Sequence, residues 1–273
     1  MELLSKSFNL EAEQIVIAPG NHDLSWTASR AAYKLMRREE LSPDTPRDSY
    51  IDRDGVVELR DDEQYEERFV NFSNFYKAVK GESYPLEYGK QFSIAHLPAQ
   101  KLLILGLNSA WKLDHHYKTR ADIYSVALSN ALISINESAQ AYEGCLRIAV
   151  WHHPLTSAFE DRIKDHGFME RLAVNDFRIA LHGHIHKADN GRFRIDFSSD
   201  GRGIDTITAG TFGAPVKEWT PGHPLQYNLL RVEGQKLTVE TRRREELGGA
   251  WRADARWTPG KNRDPQPRYT IEL

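Results

Sequence analysis

The chain has 273 residues, 27% of them charged and 40% hydrophobic, with a formal net charge of −3; that is enough for one core of ordinary globular composition, and the charge argues neither for nor against nucleic acid. A single cysteine, Cys145, excludes an internal disulfide framework and fits a reducing compartment. No apolar run approaches the roughly 18 residues that span a bilayer, and the N-terminus lacks a signal peptide's basic flank and apolar stretch, so a cytoplasmic location without membrane contact is expected.

In chain order, residues 14–18 (QIVIA) read as an apolar strand that opens onto Pro19-Gly20-Asn21-His22-Asp23. A helix is expected over 27–38, then a polar stretch over 39–62 with Pro43, Pro46 and Gly55 as breakers. Residues 52–67 carry eight acids against Arg53 and Arg60, the pattern of a solvated face. A second helix over 65–79 places Tyr65, Phe69, Phe72, Tyr76 and Val79 three and four apart, as core packing requires. Strands at 92–95 and 102–107 precede a helix near 124–141. The strand at 146–150 opens onto Trp151-His152-His153-Pro154. A helix over 161–173 leads into a strand at 177–181, which runs into His182-Gly183-His184-Ile185-His186. Short strands follow at 192–196, 203–209, 227–232 and 236–241, the last two joined by a tight hairpin. Residues 242–273 hold eight basic and five acidic side chains with Trp251 and Trp257, and read as a C-terminal extension packed on a single domain. Strands alternating with helices and then strands in succession predict an α/β protein with two sheets face to face and helices outside.

Three separate strand ends therefore deliver histidine, the first with Asn and Asp beside it. In open α/β sheets, ligand sites gather beyond the carboxyl ends of strands, and imidazole is a common ligand for transition metals. His184 and His186 stand two apart, so a strand would aim both at one point, with Gly183 allowing a sharp turn. Each residue also has a plainer reading. Asn21 can cap a turn, His153 can hydrogen-bond a loop carbonyl, and His182 can serve packing. His96, His166 and His223 carry no signal.

Gly20-Asn21-His22-Asp23, His152-His153-Pro154 and Gly183-His184-Ile185-His186, in that order, resemble the motifs of the calcineurin-like metallophosphoesterases, over roughly residues 14–241. The resemblance implies a layered α/β/β/α sandwich and hydrolysis of phosphate esters by two neighbouring divalent transition-metal ions (Mn, Fe, Zn or Co). It implies that Asn21, His152 and His184 bind the second metal and His186 the first. His22 would face the substrate phosphate as a charge-stabilising or proton-donating group, and Asp23 would orient it. Two metals about 3.5–4 Å apart can clamp both the attacking and the leaving oxygen.

The family pattern begins with an Asp-x-His and a Gly-Asp block, which supply further first-metal ligands and the bridging carboxylate. The 19 residues before Gly20 hold neither. The expectation is a domain lacking its first strands because the sequence starts late, with one metal site retained. Asp114-His115-His116 is a literal Asp-x-His, but it lies seven residues beyond the 102–107 run, so relocation is the lesser reading. The segment 107–116 with Arg120 is read as a loop near the mouth of the site, either structural or touching substrate through Asn108, Asp114, His115 and Arg120; His153 is a further substrate candidate. Two functions follow: a metal-dependent phosphomonoesterase or phosphodiesterase, or a catalytically impaired phosphatase-fold module for phosphate binding or protein interaction. A nuclease ranks lower, since no basic groove accompanies the motifs.

Overall fold

The computed structural model describes residues 7–157, 161–196, 201–213, 223–246 and 248–273. The expected strand over 14–18 does not form. Ala12–Gln14 is a 3-10 turn, and the residues after it are extended without a ladder partner. Lys80 Nζ instead donates to the carbonyls of Ala12 and Ile15, so a side chain meets backbone acceptors that a neighbouring strand would otherwise take.

Ser25 Oγ accepts from the Ala28 N–H at 3.2 Å and caps α1 (Trp26–Ala31). The helix expected over 27–38 ends there. Tyr33–Arg37 is β1, which with β2 (Tyr50–Arg53) and β3 (Val56–Arg60) makes an antiparallel sheet of order β1-β3-β2. Pairing with β3, from Tyr33↔Arg60 to Arg37↔Val56, overrides the local helix preference of Lys, Leu, Met and Arg. The acid-rich stretch is likewise more than a solvated face. Asp52 meets Arg38, Glu58 meets Arg53, Asp61 meets Lys34 and Asp62 meets Arg60, all within 3.0 Å.

The aromatic stripe falls on α2 (Asp62–Glu66), a 3-10 turn and α3 (Val70–Lys80), where Tyr65, Phe69, Phe72 and Tyr76 are buried. Gly81, at φ 82°, ends α3 in the left-handed conformation that glycine adopts without strain.

Strands β4 (Phe92–Leu97) and β5 (Leu102–Leu107) precede α4 (Ser125–Glu137), β6 (Leu146–Val150), α5 (Gly167–Val174) and β7 (Phe177–His182). Helix α5 is shorter than expected, which leaves Asp161 in the loop ahead of it. With β8 (Asp189–Arg194) and β9 (Gly203–Thr208) these strands form a six-stranded sheet of order β4-β5-β6-β7-β9-β8. Its four central strands are parallel and its two edges antiparallel. One face packs Leu103, Leu105, Ala149 and Ala180 against Leu128, Ala131 and Ile135 of α4 and Met169 and Leu172 of α5.

The other face packs Ile148, Ile179 and Ile207 against Leu237 and Val239 of a second sheet. That sheet is the hairpin β10 (Leu225–Glu233) and β11 (Lys236–Arg244), turned at Gly234 with φ 61°, joined by β12 (Arg252–Ala253) and β13 (Arg268–Glu272), both paired with β11. Residues beyond 242 thus supply strands to this sheet. The layers are helix, sheet and sheet, the phosphatase-type mixed α/β arrangement, and α3 closes a separate cluster with Leu24, Tyr84 and Leu113. Among the described residues, no helix is long and apolar enough to cross a membrane.

Candidate metal centre

Strands β6 and β7 are adjacent and parallel, so the residues after Val150 and His182 leave the same end of the sheet. The Gly183 N–H donates to the His152 carbonyl at 3.0 Å and keeps the two exits together. Strand alternation does not aim the final histidines, because β7 stops at His182. The turn is made instead by His184 (φ 70°) and His186 (φ 54°), while Gly183 stays out of the left-handed region. Side chains rarely adopt that conformation, and it clusters at functional sites.

From the other direction, Asn21–Asp23 forms one 3-10 turn, closed by the Gly20 N–H donating to Asp23 Oδ2 at 2.8 Å. The outcome is a meeting of three motifs. His152 Nε2 lies 2.9 Å from Asn21 Oδ1 and 3.0 Å from His184 Nδ1. A Cβ on Gly20 would stand 2.7 Å from the His152 ring, so only glycine permits this approach.

Donor and acceptor accounting shows which atoms have lone pairs to offer. His184 Nε2 lies 2.7 Å from Asp161 Oδ2, a carboxylate that only accepts, so Nε2 carries the proton and Nδ1 turns its lone pair toward His152. Ser109 Oγ accepts from the backbone N–H groups of His152 and His153 at 3.2 and 3.0 Å, which leaves its own proton for His153 Nδ1 at 2.9 Å. His153 therefore carries its ring proton on Nε2. Although one nitrogen each from His152, His153 and His184 lies within a 4.8 Å cluster, the atoms that converge are Asn21 Oδ1, His152 Nε2 and His184 Nδ1; His152 Nε2 donates between the other two, and a cation would take the place of that proton as it moves to Nδ1.

Burial, reinforced by the neighbouring charges of His184, His22, His186 and His182, pushes His152 down to about 3. Burial first, then His152 and His184, push His153 down to about 2. Burial brings His182, held 3.1 Å from Thr208 Oγ1, down to about 4. His22 is exposed, and Asp23 is half-buried, its carboxyl raised by burial against the opposing Gly20 N–H and His22.

The remaining candidates make their contacts elsewhere, except His153, whose ring belongs to the cluster. Asn108 is buried, with its amide shared between Gln91 and the Ala110 N–H. Asp114 is 1% exposed and accepts four hydrogen bonds, from Tyr33 and Tyr65 hydroxyls and the His116 and Tyr117 N–H groups. No lone pair of Asp114 is left for a metal or a substrate, so the literal Asp-x-His is a structural turn. His115 Nδ1 is held by Ser29 Oγ at 2.9 Å, and its imidazole is pushed down chiefly by burial and by His116. Arg120 lies over the Tyr117 ring, 3.1 Å from its centroid. His153 is 1% exposed and faces no opening. Asp161 was missed in the sequence because a lone acid in a loop, 23 residues before its partner, belongs to no motif.

An N/N/O set with an outer carboxylate on one imidazole suits a divalent transition metal, so Asn21, His152 and His184 fit one cation. A bridging carboxylate is not supplied by the described residues: Asp161 meets the far nitrogen of His184, and Asp23 Oδ2 is taken by Gly20.

The sequence profile of the calcineurin-like phosphoesterases matches residues 1–188. No curated protein matches the chain. Among solved structures, Vps29 from Chaetomium thermophilum is similar over 48% of this chain and 56% of its own length, with 13% identity and a TM-score of 0.27. A single mutant of Vps29 from Entamoeba histolytica is similar over 50% of this chain and 76% of its own, with 10% identity and a TM-score of 0.24.

Proposed function

The chain belongs to the calcineurin-like phosphoesterase family, and on that premise we propose that it hydrolyses a phosphomonoester or phosphodiester with a divalent cation held by Asn21, His152 and His184. The observation that carries this reading is the convergence of Asn21 Oδ1 and His184 Nδ1 on His152 Nε2, at 2.9 and 3.0 Å, beside an exposed His22. When bound, a Mn, Fe, Zn or Co ion supplies positive charge for the phosphate and makes water nucleophilic near neutral pH.

The protein's own groups do the rest. Asp161 fixes the His184 tautomer so that Nδ1 keeps its lone pair. Ser109 anchors the backbone of His152. His22 projects into solvent from a turn that Asp23 closes; there it hydrogen-bonds a phosphate oxygen and donates a proton to the leaving oxygen. His186, close enough for its charge to act on His152, is assigned as a ligand for a second cation.

Hydrolysis of a chromogenic phosphodiester with Mn²⁺ tests the reading. His22→Ala is expected to lose on the order of 10²–10⁴ in rate, while the metal content of the purified chain stays at the wild-type level. His184→Ala should lose the cation itself, read by elemental analysis. A metal-loaded wild-type chain with no turnover would defeat the enzyme reading. The alternative is then favoured, a phosphate-binding module, and the observation behind it is that, among the described residues, the donors gathered around His152 include no carboxylate. Manganese-dependent binding of inorganic phosphate without hydrolysis would be its signature.

A further inference from the structure

A second group of metal-type donors lies in the layer built by the three-stranded sheet. Glu58 of β3 and the adjacent His115 and His116 each place one ligand atom within 4.8 Å of the others. His116 Nε2 is buried and has no hydrogen-bond partner, yet it lies 2.7 Å from Glu58 Oε2. The nitrogen thus faces a carboxylate oxygen without the alignment of a hydrogen bond, and a cation set between a slightly opened pair would satisfy both atoms. The other Glu58 oxygen is held by Arg53 Nε at 3.0 Å.

The rings are fixed in place. Ser29, fully buried on α1, contacts His115 Nδ1 at 2.9 Å and accepts the His115 backbone N–H at 3.2 Å. Tyr33 stands edge-on to both imidazoles, at 5.2 and 4.9 Å between centroids. The Glu58 and His116 side chains retain 24% and 12% exposure.

We propose that Glu58, His115 and His116 form a second cation site, of the two-histidine, one-carboxylate type suited to Zn²⁺ with an open fourth position for water. The site ties β3 to the loop after β5. That loop also carries Ser109, which supports His152 and His153, so zinc here braces the scaffold of the first centre from its far end.

The test is the zinc stoichiometry of the full chain, stripped with a chelator, reloaded with Zn²⁺ and measured by elemental analysis after gel filtration. A His184→Ala background removes the first centre, so the result does not depend on the proposed activity. In that background one equivalent of zinc is expected to remain, to fall toward zero in His116→Ala, and to bind at least on the order of 10-fold more weakly in Glu58→Gln. Co²⁺ substitution should give the visible absorption of a low-coordinate site, lost in both variants. If His116→Ala does not fold, the near-isosteric Glu58→Gln decides alone. Unchanged zinc content and Co²⁺ spectrum in Glu58→Gln would overturn the proposal and leave Glu58–His116 an ion pair.

Discussion

Asp161 and Gly20 act on the same pair of imidazoles from different sides. Asp161 accepts from His184 Nε2 at 2.7 Å, and Gly20 leaves room against the His152 ring. Asp161→Asn keeps the size but removes the charge that orients and polarises His184. Its cation affinity, measured by competition with a chromophoric chelator, should fall about 10–100-fold. Gly20→Ala puts a methyl 2.7–2.8 Å from three ring atoms of a side chain already wedged between Asn21 and His184. A comparable or larger loss of affinity is expected there. Gly213→Ala, with none of the described residues within 4 Å of its added carbon, should bind as the wild type does. The proposed ligands stand in short motifs that the sequence displays: Asn21 beside Gly20, His152 just after β6 and His184 beside Gly183. Their support was not legible there, because Ser109 and Asp161 are ordinary residue types whose role exists only once the chain has folded.

Arg68 organises the loop that links both histidine clusters. It is fully buried, lies 3.3 Å from the Tyr65 ring centroid, and donates to the carbonyls of Tyr65, Leu113 and Trp111 and to the Tyr88 hydroxyl. Arg68→Met keeps most of the volume but strands these acceptors away from water. Each costs about 1–3 kcal/mol when unmet, and relaxation of the loop recovers part of the sum. A net loss of about 3 kcal/mol is expected in urea unfolding of the metal-free chain. A change under about 0.5 kcal/mol, the range of an ordinary surface substitution, would show that the loop is held by something else. Elements with their own periodicity, such as the aromatic stripe of α2 and α3 and the apolar runs of β5, β6 and β7, were recoverable from pattern alone. The failures came where a partner decides. The 14–18 run is apolar but takes its carbonyl partners from Lys80, and Tyr33–Arg37 has helix-forming residues but pairs with Val56–Arg60. The terminal segment, read as an extension packed on the domain, supplies β12 and β13, strands that pattern alone did not offer because its alternation is short and β11 provides the ladder.

The whole molecule is joined by two interfaces of different kinds, an apolar seam between the sheets and a polar convergence at the strand ends. Leu237 and Val239, fully buried, meet Ile148, Ile179 and Ile207 across the seam. Asn21 and His152 lie 131 residues apart in the chain and His152 and His184 another 32, so the three can converge on the proposed cation only in the folded state. Leu237→Ala should cost about 2–5 kcal/mol through lost burial and the cavity left behind. A ligand that binds only the native state adds stability by mass action, about 2.7 kcal/mol at 100 times its dissociation constant. Because the seam and the pocket share no side chain, the two effects should add. Manganese should therefore raise the urea midpoint of Leu237→Ala and of the wild type by equal free energies, and chelation should return both to their metal-free values. His184→Ala should lose that increment while keeping the seam intact. An increment that shrinks in Leu237→Ala would mean that the second sheet, beneath β6 and β7, sets the positions of His152 and His184, and that pocket and seam unfold as one unit.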